Sequence, residues 1–387
     1  MRALNIIFFT HYAEMYGANY SMLRLISELK DKNGINPVVI MPKRGSLVKK
    51  LREQGIPYLC IRFKGWMRKD NSKQPHFEEW LEMVCNNAMA LKDIEIQLNT
   101  MGFIPDVIVS VTSMIDVGML YARWKKKKHI WFIRECNEQY KFSNIYPKYI
   151  SRLWWRQSDR IVCISRFALE EFRKTYGYIG NEIILYNGVD IVPHYERKWK
   201  EKGDIIKFCI VGLISENKGQ YFVTKCFQEL YRMGCKEFEL YIIGGGSREE
   251  IRKIKEICKP VEFGEKIRVM GYREDVKEIL SQMDVGITAS YKEMFGRVTV
   301  EYMMAGMPVI ASASGANEEI VEDGRTGFIY TIYDEQDFIQ KAKGCIEHPE
   351  NLWVLGERGR HKAIEQFSKG KNAEGFKNIL YQVIECR

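Results

Sequence analysis

The feature that most limits how this chain folds is the alternation of short apolar runs with amphipathic stretches. In the first half, the runs and stretches follow in the order Leu4–Thr10, Ser21–Lys30, Pro37–Met41 and Leu47–Gln54. Val107–Val111 and Ile130–Ile133 are rich in β-branched residues. A strand with one exposed face would alternate apolar and polar residues, so we expect these strands to be buried on both faces in a parallel sheet. The pattern predicts an α/β protein with a doubly wound sheet.

The same alternation restarts at Asp204, which predicts a second sheet. Its members are Ile205–Val211, Gln220–Arg232, Phe238–Ile243, a charged helix from Ser247, and Ile267–Met270. A chain of 387 residues also exceeds the roughly 100–200 residues of an ordinary domain. The polar, turn-rich segment Asn187–Gly203 is the predicted linker. The predicted organisation is an N-terminal domain 1–186, a linker 187–203, a C-terminal domain 204–366 and a C-terminal helix 367–387.

Composition excludes a disordered, a fibrous or a membrane-spanning protein. Apolar residues make up 46% and charged residues 28%, as in an ordinary globular chain. No stretch approaches the roughly 18 apolar residues of a membrane span, and the first apolar run is shorter than the core of a signal peptide, so a cytoplasmic location is expected. The ten cysteines form no C-x-x-C pair and no cluster with histidines, so no metal site is expected. The net charge of +9 favours anionic partners without choosing among them.

The segment Ser290–Gly306 carries the clearest functional signal. Asp284–Ala289 before it is interpreted as a strand, and Arg297–Met304 as a helix that ends before Gly306. The open amides and positive dipole at the start of this helix form a site for a diphosphate, and Gly296 allows the ligand to approach the backbone closely.

Two carboxylates flank this predicted anion site. Glu293 lies in the loop before the helix, and Glu301 lies in its second turn. Carboxylates would repel phosphate, so their use must differ from phosphate binding. Hydroxyl recognition fits, because a carboxylate accepts hydrogen bonds from sugar and ribose hydroxyls.

These residues resemble a known family. Glu293 and Glu301, separated by seven residues that include FGR, are followed by AGMPVIAS and EIVEDGRTG, a combination similar to the signature of the retaining glycosyltransferases of family four. Blocks similar to others of that family stand elsewhere, namely VGLISENKGQ, IVCISR, NGVD and GANYSMLRLISEL. The resemblance spans nearly the whole chain.

The resemblance implies a fold and an activity. The fold would be GT-B, with two Rossmann-like doubly wound domains facing a cleft and a C-terminal helix that returns to the N-terminal domain. The activity would be metal-independent transfer of a hexose-type sugar, with retention, from a nucleotide diphosphate sugar, expected to be UDP-linked. The acceptor would be a saccharide or a lipid-linked molecule, and the pathway bacterial surface polysaccharide synthesis. No cofactor is implied, since the nucleotide sugar is a substrate.

The resemblance also implies the site residues. The Glu293 position contacts the donor sugar, the Glu301 position holds the ribose hydroxyls, and the Lys218 position binds the diphosphate. The predicted catalytic residues are Glu293, Lys218 and Arg134. The predicted donor-binding residues are Glu301, Gly296, Arg297, Phe295, Gly17, Gly212, Asn217, Gly315, Ala316 and Asn317.

The chain departs from the family pattern at three places. Leu213 replaces the usual arginine, so diphosphate binding must depend on Lys218, Arg297 and the amides after Gly296. Arg134 and Glu135 stand where many members have a histidine, and an arginine does not exchange protons at neutral pH as a histidine does. The family has a pair of glycines before its EIV block, and here the pair is Gly315 followed by Ala316.

Several alternatives remain open at this point. A nucleotide-sugar epimerase of the same fold would bind the same donor, and a noncatalytic GT-B-like subunit would be consistent with Leu213. Nucleic-acid binding is not expected, because the basic residues are spread along the chain. Trp154 and Trp155 with Arg152 and Arg156 fit either a buried aromatic face or a peripheral contact with the inner face of a membrane. The lysine run 125–128 is interpreted as a solvated loop.

Overall fold

The computed structural model describes residues 3–68, 77–135, 143–146, 148–193, 199–259 and 261–385. Its contacts divide the chain into two units. The first unit contains Met1–Gly188 together with Lys369–Arg387, and the second contains Val189–Ser368. The segment predicted as a linker therefore belongs mostly to the second unit, and its residues 194–198 lie outside the described residues.

The first unit is built on a parallel sheet. Its strands are β1 Leu4–Phe9, β2 Ile35–Met41, β3 Tyr58–Cys60, β4 Met67–Arg68, β5 Val107–Ser110, β6 Lys128–Ile133, β7 Ser143–Asn144, β8 Arg160–Cys163 and β9 Glu182–Ile184. Seven of these described strands form the main sheet in the order β3-β2-β1-β5-β6-β8-β9, while β4 pairs with β7 antiparallel. The helices between them are α1 Gly17–Asn33, α2 Ser46–Glu53, α3 Phe77–Thr100, α4 Val117–Trp124, α5 Lys148–Arg156 and α6 Arg166–Tyr176.

The second unit repeats this plan with a parallel sheet of six described strands. They are β10 Ile206–Val211, β11 Phe238–Ile243, β12 Ile267–Gly271, β13 Val285–Thr288, β14 Val309–Ser312 and β15 Gly327–Tyr330, in the order β12-β11-β10-β13-β14-β15. Its α-helices are α7 Gln220–Arg232, α8 Arg248–Ile257, α9 Val261–Gly264, α10 Val276–Leu280, α11 Arg297–Met304, α12 Asn317–Ile320, α13 Glu335–Glu347 and α14 Leu352–Phe367. Short 3-10 helices cover Glu216–Lys218 and Pro349–Asn351.

Both sheets are buried on their two faces, as their continuous apolar runs predict. Consecutive residues of β1, from Ile6 to Phe9, are completely buried, and so are Val107, Ile108 and Val109 of β5. Since neighbouring side chains in a strand point to opposite faces, both faces of each strand must be covered. The prediction of two doubly wound α/β domains is confirmed.

The C-terminal tail forms two helices, α14 and the helix that follows it. Ser368 adopts an extended backbone (φ −68°, ψ 152°) between α14 and the last helix, α15 Lys369–Glu385. Helix α15 belongs to the first unit, where the ring of Phe376 lies 5.5 Å from that of Phe132. Lys369 forms an ion pair with Glu28 of α1 at 2.9 Å. The predicted return of a C-terminal helix to the N-terminal domain is confirmed.

Two features are absent from the residues that the structure describes. None of the helices in those ranges is long and apolar enough to cross a bilayer. Among the same residues, no group of three or more histidine, cysteine, aspartate or glutamate side chains is placed to hold a metal ion.

Candidate functional site

The second sheet has a topological switch point between β10 and β13. From β10 the chain builds outward through β11 and β12 on one side, and then through β13, β14 and β15 on the other. Loops that leave neighbouring strands in opposite directions open a crevice at the carboxyl edge, where ligands bind in open α/β sheets. The loops after β10 and β13 carry Lys218 and Glu293, and these loops therefore define the candidate site.

The loop after β10 holds Lys218 against the end of β13. Gly219, directly after it, has φ +72°, and a β-carbon there would overlap the carbonyl oxygen of Ala289 and lie 2.8 Å from its Cβ. Glycine is needed at this position for both reasons. Gly212 at the start of the loop has φ +150°, and the loop between them forms the short 3-10 helix 216–218.

The Nζ of Lys218 forms an ion pair with Oε1 of Glu293. The Glu293 side chain is 17% exposed and that of Lys218 is 39% exposed, so the pair lies partly inside the crevice. The backbone of Glu293 is fixed as well, because its carbonyl oxygen accepts a hydrogen bond from the amide of Ala316 at 2.8 Å. The structure thus brings together two of the three predicted catalytic residues, 75 positions apart in the sequence.

Helix α11 begins at this crevice. Gly296 is its N-cap with φ +72°, it has no side chain to cap the first amides, and the first turn contains no acidic residue. The first amides of a helix have no partner within the helix, so this end offers donors and positive potential to an anion. Arg297 occupies the first helical position, where a cation opposes the helix dipole. Its Nε lies 3.4 Å from Oε1 of Glu301, one turn later.

A buried chain of hydrogen bonds fixes the loops around Glu293. The hydroxyl of Thr299 on α11 lies 3.0 Å from that of Thr288 and donates to Oδ1 of Asn317 at 3.0 Å. Nδ2 of Asn317 donates to the carbonyl of Ser312 at 3.2 Å, and the hydroxyl of Ser312 donates to the carbonyl of Ser290 at 2.9 Å. Buried and satisfied polar groups of this kind hold one backbone arrangement.

The remaining predicted donor residues of this unit differ in exposure. Asn217 is exposed, and its carbonyl accepts the amide of Tyr291 at 3.0 Å. Phe295 is buried with its ring 5.9 Å from that of Phe367. Ala316 and Asn317 are completely buried. These three buried residues are placed to support the loop, and a direct contact of their side chains with a donor stays a prediction.

Sequence reasoning missed a tyrosine that links α11 to the Lys218 loop. The hydroxyl of Tyr302 accepts a hydrogen bond from the amide of Val211 at 2.7 Å, just before Gly212. Its ring fills the space above Gly286, where a β-carbon would lie 2.9 Å from the tyrosine Cβ and overlap the ring. A glycine inside a buried strand, as Gly286 is in β13, was the available signal, because it marks a close approach by another group.

Replacing Tyr302 with phenylalanine should uncouple α11 from this loop. The Val211 amide would lose its partner, which we expect to lower the free energy of unfolding by about 1–3 kcal/mol. The Lys218 loop would be held less firmly, so the turnover number should fall about tenfold. Urea unfolding and initial rates test this. Tyr241→Phe is the control, because the Tyr241 hydroxyl donates to Glu239 of its own strand at 2.7 Å and links no other described element. Equal turnover in Tyr302→Phe and the control would refute the coupling.

Arg134 and Gly17 lie in the first unit. Arg134 follows β6, and its guanidinium stacks 4.8 Å above the Phe132 ring and donates Nη1–H to Oδ1 of Asn187 in the NGVD block. Burial lowers the pKa of Arg134 to about 10, so the side chain stays cationic at neutral pH. Gly17 is exposed at the start of α1.

Glu135, next to Arg134, was not predicted as a site residue. Its carboxylate accepts hydrogen bonds from the Thr112 hydroxyl at 2.7 Å, and from the Ser113 amide and hydroxyl at 3.1 and 2.9 Å. Burial lowers the pKa of His11, at the end of β1, while the charge of Glu135 opposes this shift. The carboxyl edge of the first sheet therefore carries a cation and a carboxylate beside its own switch point, between β1 and β5.

Comparison with known proteins identifies the family. Residues 15–192 match the model of Glycosyltransferase Family 4, and residues 206–348 match that of Glycosyl transferases group 1. The chain belongs to glycosyltransferase family four. The two matched segments lie in the first and second structural units respectively, apart from residues 189–192, so each unit carries one of the two family domains.

Relatives of the glycosyltransferase are distant. Over 233 residues it is 28% identical to the N-acetyl-alpha-D-glucosaminyl L-malate synthase of Bacillus anthracis, a match that covers 59% of this chain and 61% of that protein. It is 23% identical over 241 residues to the lipopolysaccharide core biosynthesis glycosyltransferase LpsE of Rhizobium meliloti, covering 61% of this chain and 67% of LpsE.

Two solved structures establish the fold over the whole chain. Anabaena HepE, solved with UDP and glucose, superposes with a TM-score of 0.76 at 16% identity, over 98% of this chain and 100% of HepE. A glycosyltransferase of Rickettsia africae superposes with a TM-score of 0.80 at 18% identity, over 100% of both chains. The predicted GT-B fold is confirmed.

Proposed function

We propose that this protein transfers a hexose-type sugar from a nucleoside diphosphate sugar to a saccharide or lipid-linked acceptor. The observation that carries the proposal is the Lys218–Glu293 ion pair at the switch point of the second sheet, beside the amino end of α11. A cation beside open helix amides supports a diphosphate site here, and the neighbouring carboxylates support recognition of sugar and ribose hydroxyls. We expect UDP as the nucleotide, a choice supported by the UDP bound to HepE.

The proposed chemistry breaks the bond between the anomeric carbon and the diphosphate oxygen. Negative charge then grows on the leaving diphosphate, and cations that bind it more tightly in the transition state lower the barrier. Lys218, Arg297 and the amides of α11 would supply this stabilisation without a divalent metal. The acceptor oxygen forms the new bond to the anomeric carbon with retention, and its proton passes to the leaving phosphate. We propose that the first unit, through Arg134, orients the acceptor.

The names of relatives support a pathway. LpsE of Rhizobium meliloti acts in lipopolysaccharide core biosynthesis. We propose synthesis of a bacterial surface polysaccharide at the cytoplasmic side of a membrane, with peripheral contact, because a lipid-linked acceptor would be anchored in that membrane.

Nucleotide binding gives the first test. Replacing Glu301 with alanine should weaken UDP binding about 10- to 100-fold, because the hydrogen bonds that the Glu301 carboxylate would accept from the ribose hydroxyls are lost. Isothermal titration of UDP, GDP and ADP measures this and also identifies the base. Glu347→Ala is the matched control, since Glu347 forms a similar helical ion pair with Lys343 four positions away. The ribose assignment would be wrong if both variants bound UDP as tightly as the wild-type chain.

Sugar transfer gives the second test. Consumption of UDP-sugar should require an acceptor and continue in EDTA. Donor consumption without any acceptor would indicate an epimerase instead, and an absence of nucleotide binding would indicate a noncatalytic subunit.

A further inference from the structure

Helix α5 places its two tryptophans inward. Trp155 is completely buried against Trp131 and Phe172, with ring centroids 4.1 and 5.2 Å away. Trp154 is half-buried and stacks on Tyr146 at 6.0 Å. The burial of Trp155 favours the buried aromatic face over the membrane contact that the sequence left open for this residue. Trp155 is not available to insert into a membrane, and Trp154 is only partly exposed.

The opposite face of α5 is exposed and combines apolar groups with cations. Tyr149 is 69% exposed and Leu153 is 54% exposed. Arg152 and Arg156 are exposed as well. The spacing of these four residues places them on one side of the helix, because residues three and four positions apart are neighbours on its surface.

Exposed aromatic residues of adjacent elements extend this face. Arg152 donates Nη2–H to the carbonyl of Tyr178 at 3.2 Å, and the Tyr178 side chain is 65% exposed. At the carboxyl end of α5, Nη1 of Arg123 donates to Oε1 of Gln157 at 2.6 Å, which connects the end of α4 to the end of α5. Trp124, next to Arg123, is 50% exposed. We call Trp124, Tyr149, Arg152, Leu153, Arg156 and Tyr178 the basic-aromatic surface.

The lysine run 125–128 adds positive charge next to Trp124. Its outer members are neutralised, because Lys125 pairs with Glu95 at 2.7 Å and Lys128 pairs with Asp159 at 2.9 Å. Lys126 between them is exposed. The run is thus partly structural rather than simply a solvated loop, and the charge it presents to solvent comes from its inner residues.

We propose that the basic-aromatic surface binds the headgroup region of an anionic phospholipid bilayer. Cations near such a surface are attracted by its negative potential, and tyrosine, tryptophan and leucine side chains bury their apolar parts at the interface. A nucleic acid would pair with the cations but would give exposed Leu153 no apolar partner, so a lipid surface fits the whole set better. This lipid-binding surface rests on the proposed function, because a membrane-associated acceptor would give the enzyme a reason to bind the bilayer.

Vesicle flotation tests this surface without measuring sugar transfer. The full chain should float with vesicles containing phosphatidylglycerol, and should remain in solution with vesicles of phosphatidylcholine alone. Arg152→Gln combined with Arg156→Gln should weaken binding at least tenfold, since two attractive charges are lost. Leu153→Asn should weaken binding that persists at high salt, where screening removes the electrostatic part.

The matched control removes the same charge from the second unit. Arg252 and Lys255 are exposed on α8, and their double substitution by glutamine should leave flotation unchanged. Equal binding to both lipid compositions, or an equal loss in the α5 and α8 double variants with unchanged melting temperatures, would overturn the proposal. Because the readout is lipid binding, either result leaves the assignment of the Lys218–Glu293 site untouched.

Discussion

Replacing Lys218 with methionine should lower the rate of sugar transfer by about two to three orders of magnitude, the effect seen when one transition-state contact to a developing anion is removed. Methionine keeps the length of the side chain and removes its charge. The fold should survive, because the Lys218–Glu293 pair is partly exposed and ion pairs of that kind contribute little to stability. Initial rates at saturating donor, together with the melting temperature, measure both quantities.

The control for this experiment is Lys225→Met. Lys225 is exposed on α7, with its Nζ 4.7 Å above the Tyr221 ring, and lies seven positions beyond Lys218. It removes the same charge from the same unit away from the crevice, so transfer should remain near the wild-type rate. Full activity of Lys218→Met would show that the diphosphate charge is met elsewhere, and the proposed mechanism would then fail.

Replacing Gly315 with alanine should damage both stability and activity. Gly315 has φ +61°, a conformation that costs a residue with a side chain about 1–3 kcal/mol. The added β-carbon would also overlap the carbonyl oxygen of Glu293 and lie 2.7 Å from its amide nitrogen. These are backbone atoms, so the Glu293 loop itself must move. A displacement of about 1 Å is sufficient to cost roughly 100-fold in rate.

Gly324 separates the two causes of this effect. It has φ +68° in the same unit, and a β-carbon added there would meet no atom within 4 Å. Gly324→Ala should therefore show the backbone cost alone, with transfer near the wild-type rate. If urea unfolding and initial rates gave the same result for the two alanine variants, the contact between Gly315 and Glu293 would not position the carboxylate.

The structure suggests which cation takes the place of the arginine that the family resemblance leads one to expect at position 213. Leu213, where the family resemblance leads one to expect an arginine, is 66% exposed after β10. Arg297 stands at the first position of α11, which the helix dipole makes unfavourable for a cation. A bound diphosphate would reverse this, because its charge would stabilise Arg297 and the helix end together. We therefore propose that Arg297 supplies the charge that Leu213 does not.

The sequence by itself determined the elements and their order. Short apolar runs rich in β-branched residues favour strands buried on both faces, so both parallel sheets were predictable, and the predicted helix Arg297–Met304 has the observed bounds. Local signals such as Gly296 before that helix also predicted where the helix begins, because helix ends are set by neighbouring residues. The family resemblance then selected Glu293, Glu301 and Lys218 from many similar charged residues.

Only the tertiary structure decided which of these residues meet. The pairing of Lys218 with Glu293 and the bond from Val211 to Tyr302 join residues 75 and 91 positions apart. It also decided that Trp155 is buried while Leu153 of the same helix is exposed. A strand or helix pattern depends on neighbours within a few residues, whereas these contacts depend on how strands are ordered across a sheet and which helix face packs on it. That ordering is a property of the assembled core, so no local pattern records it.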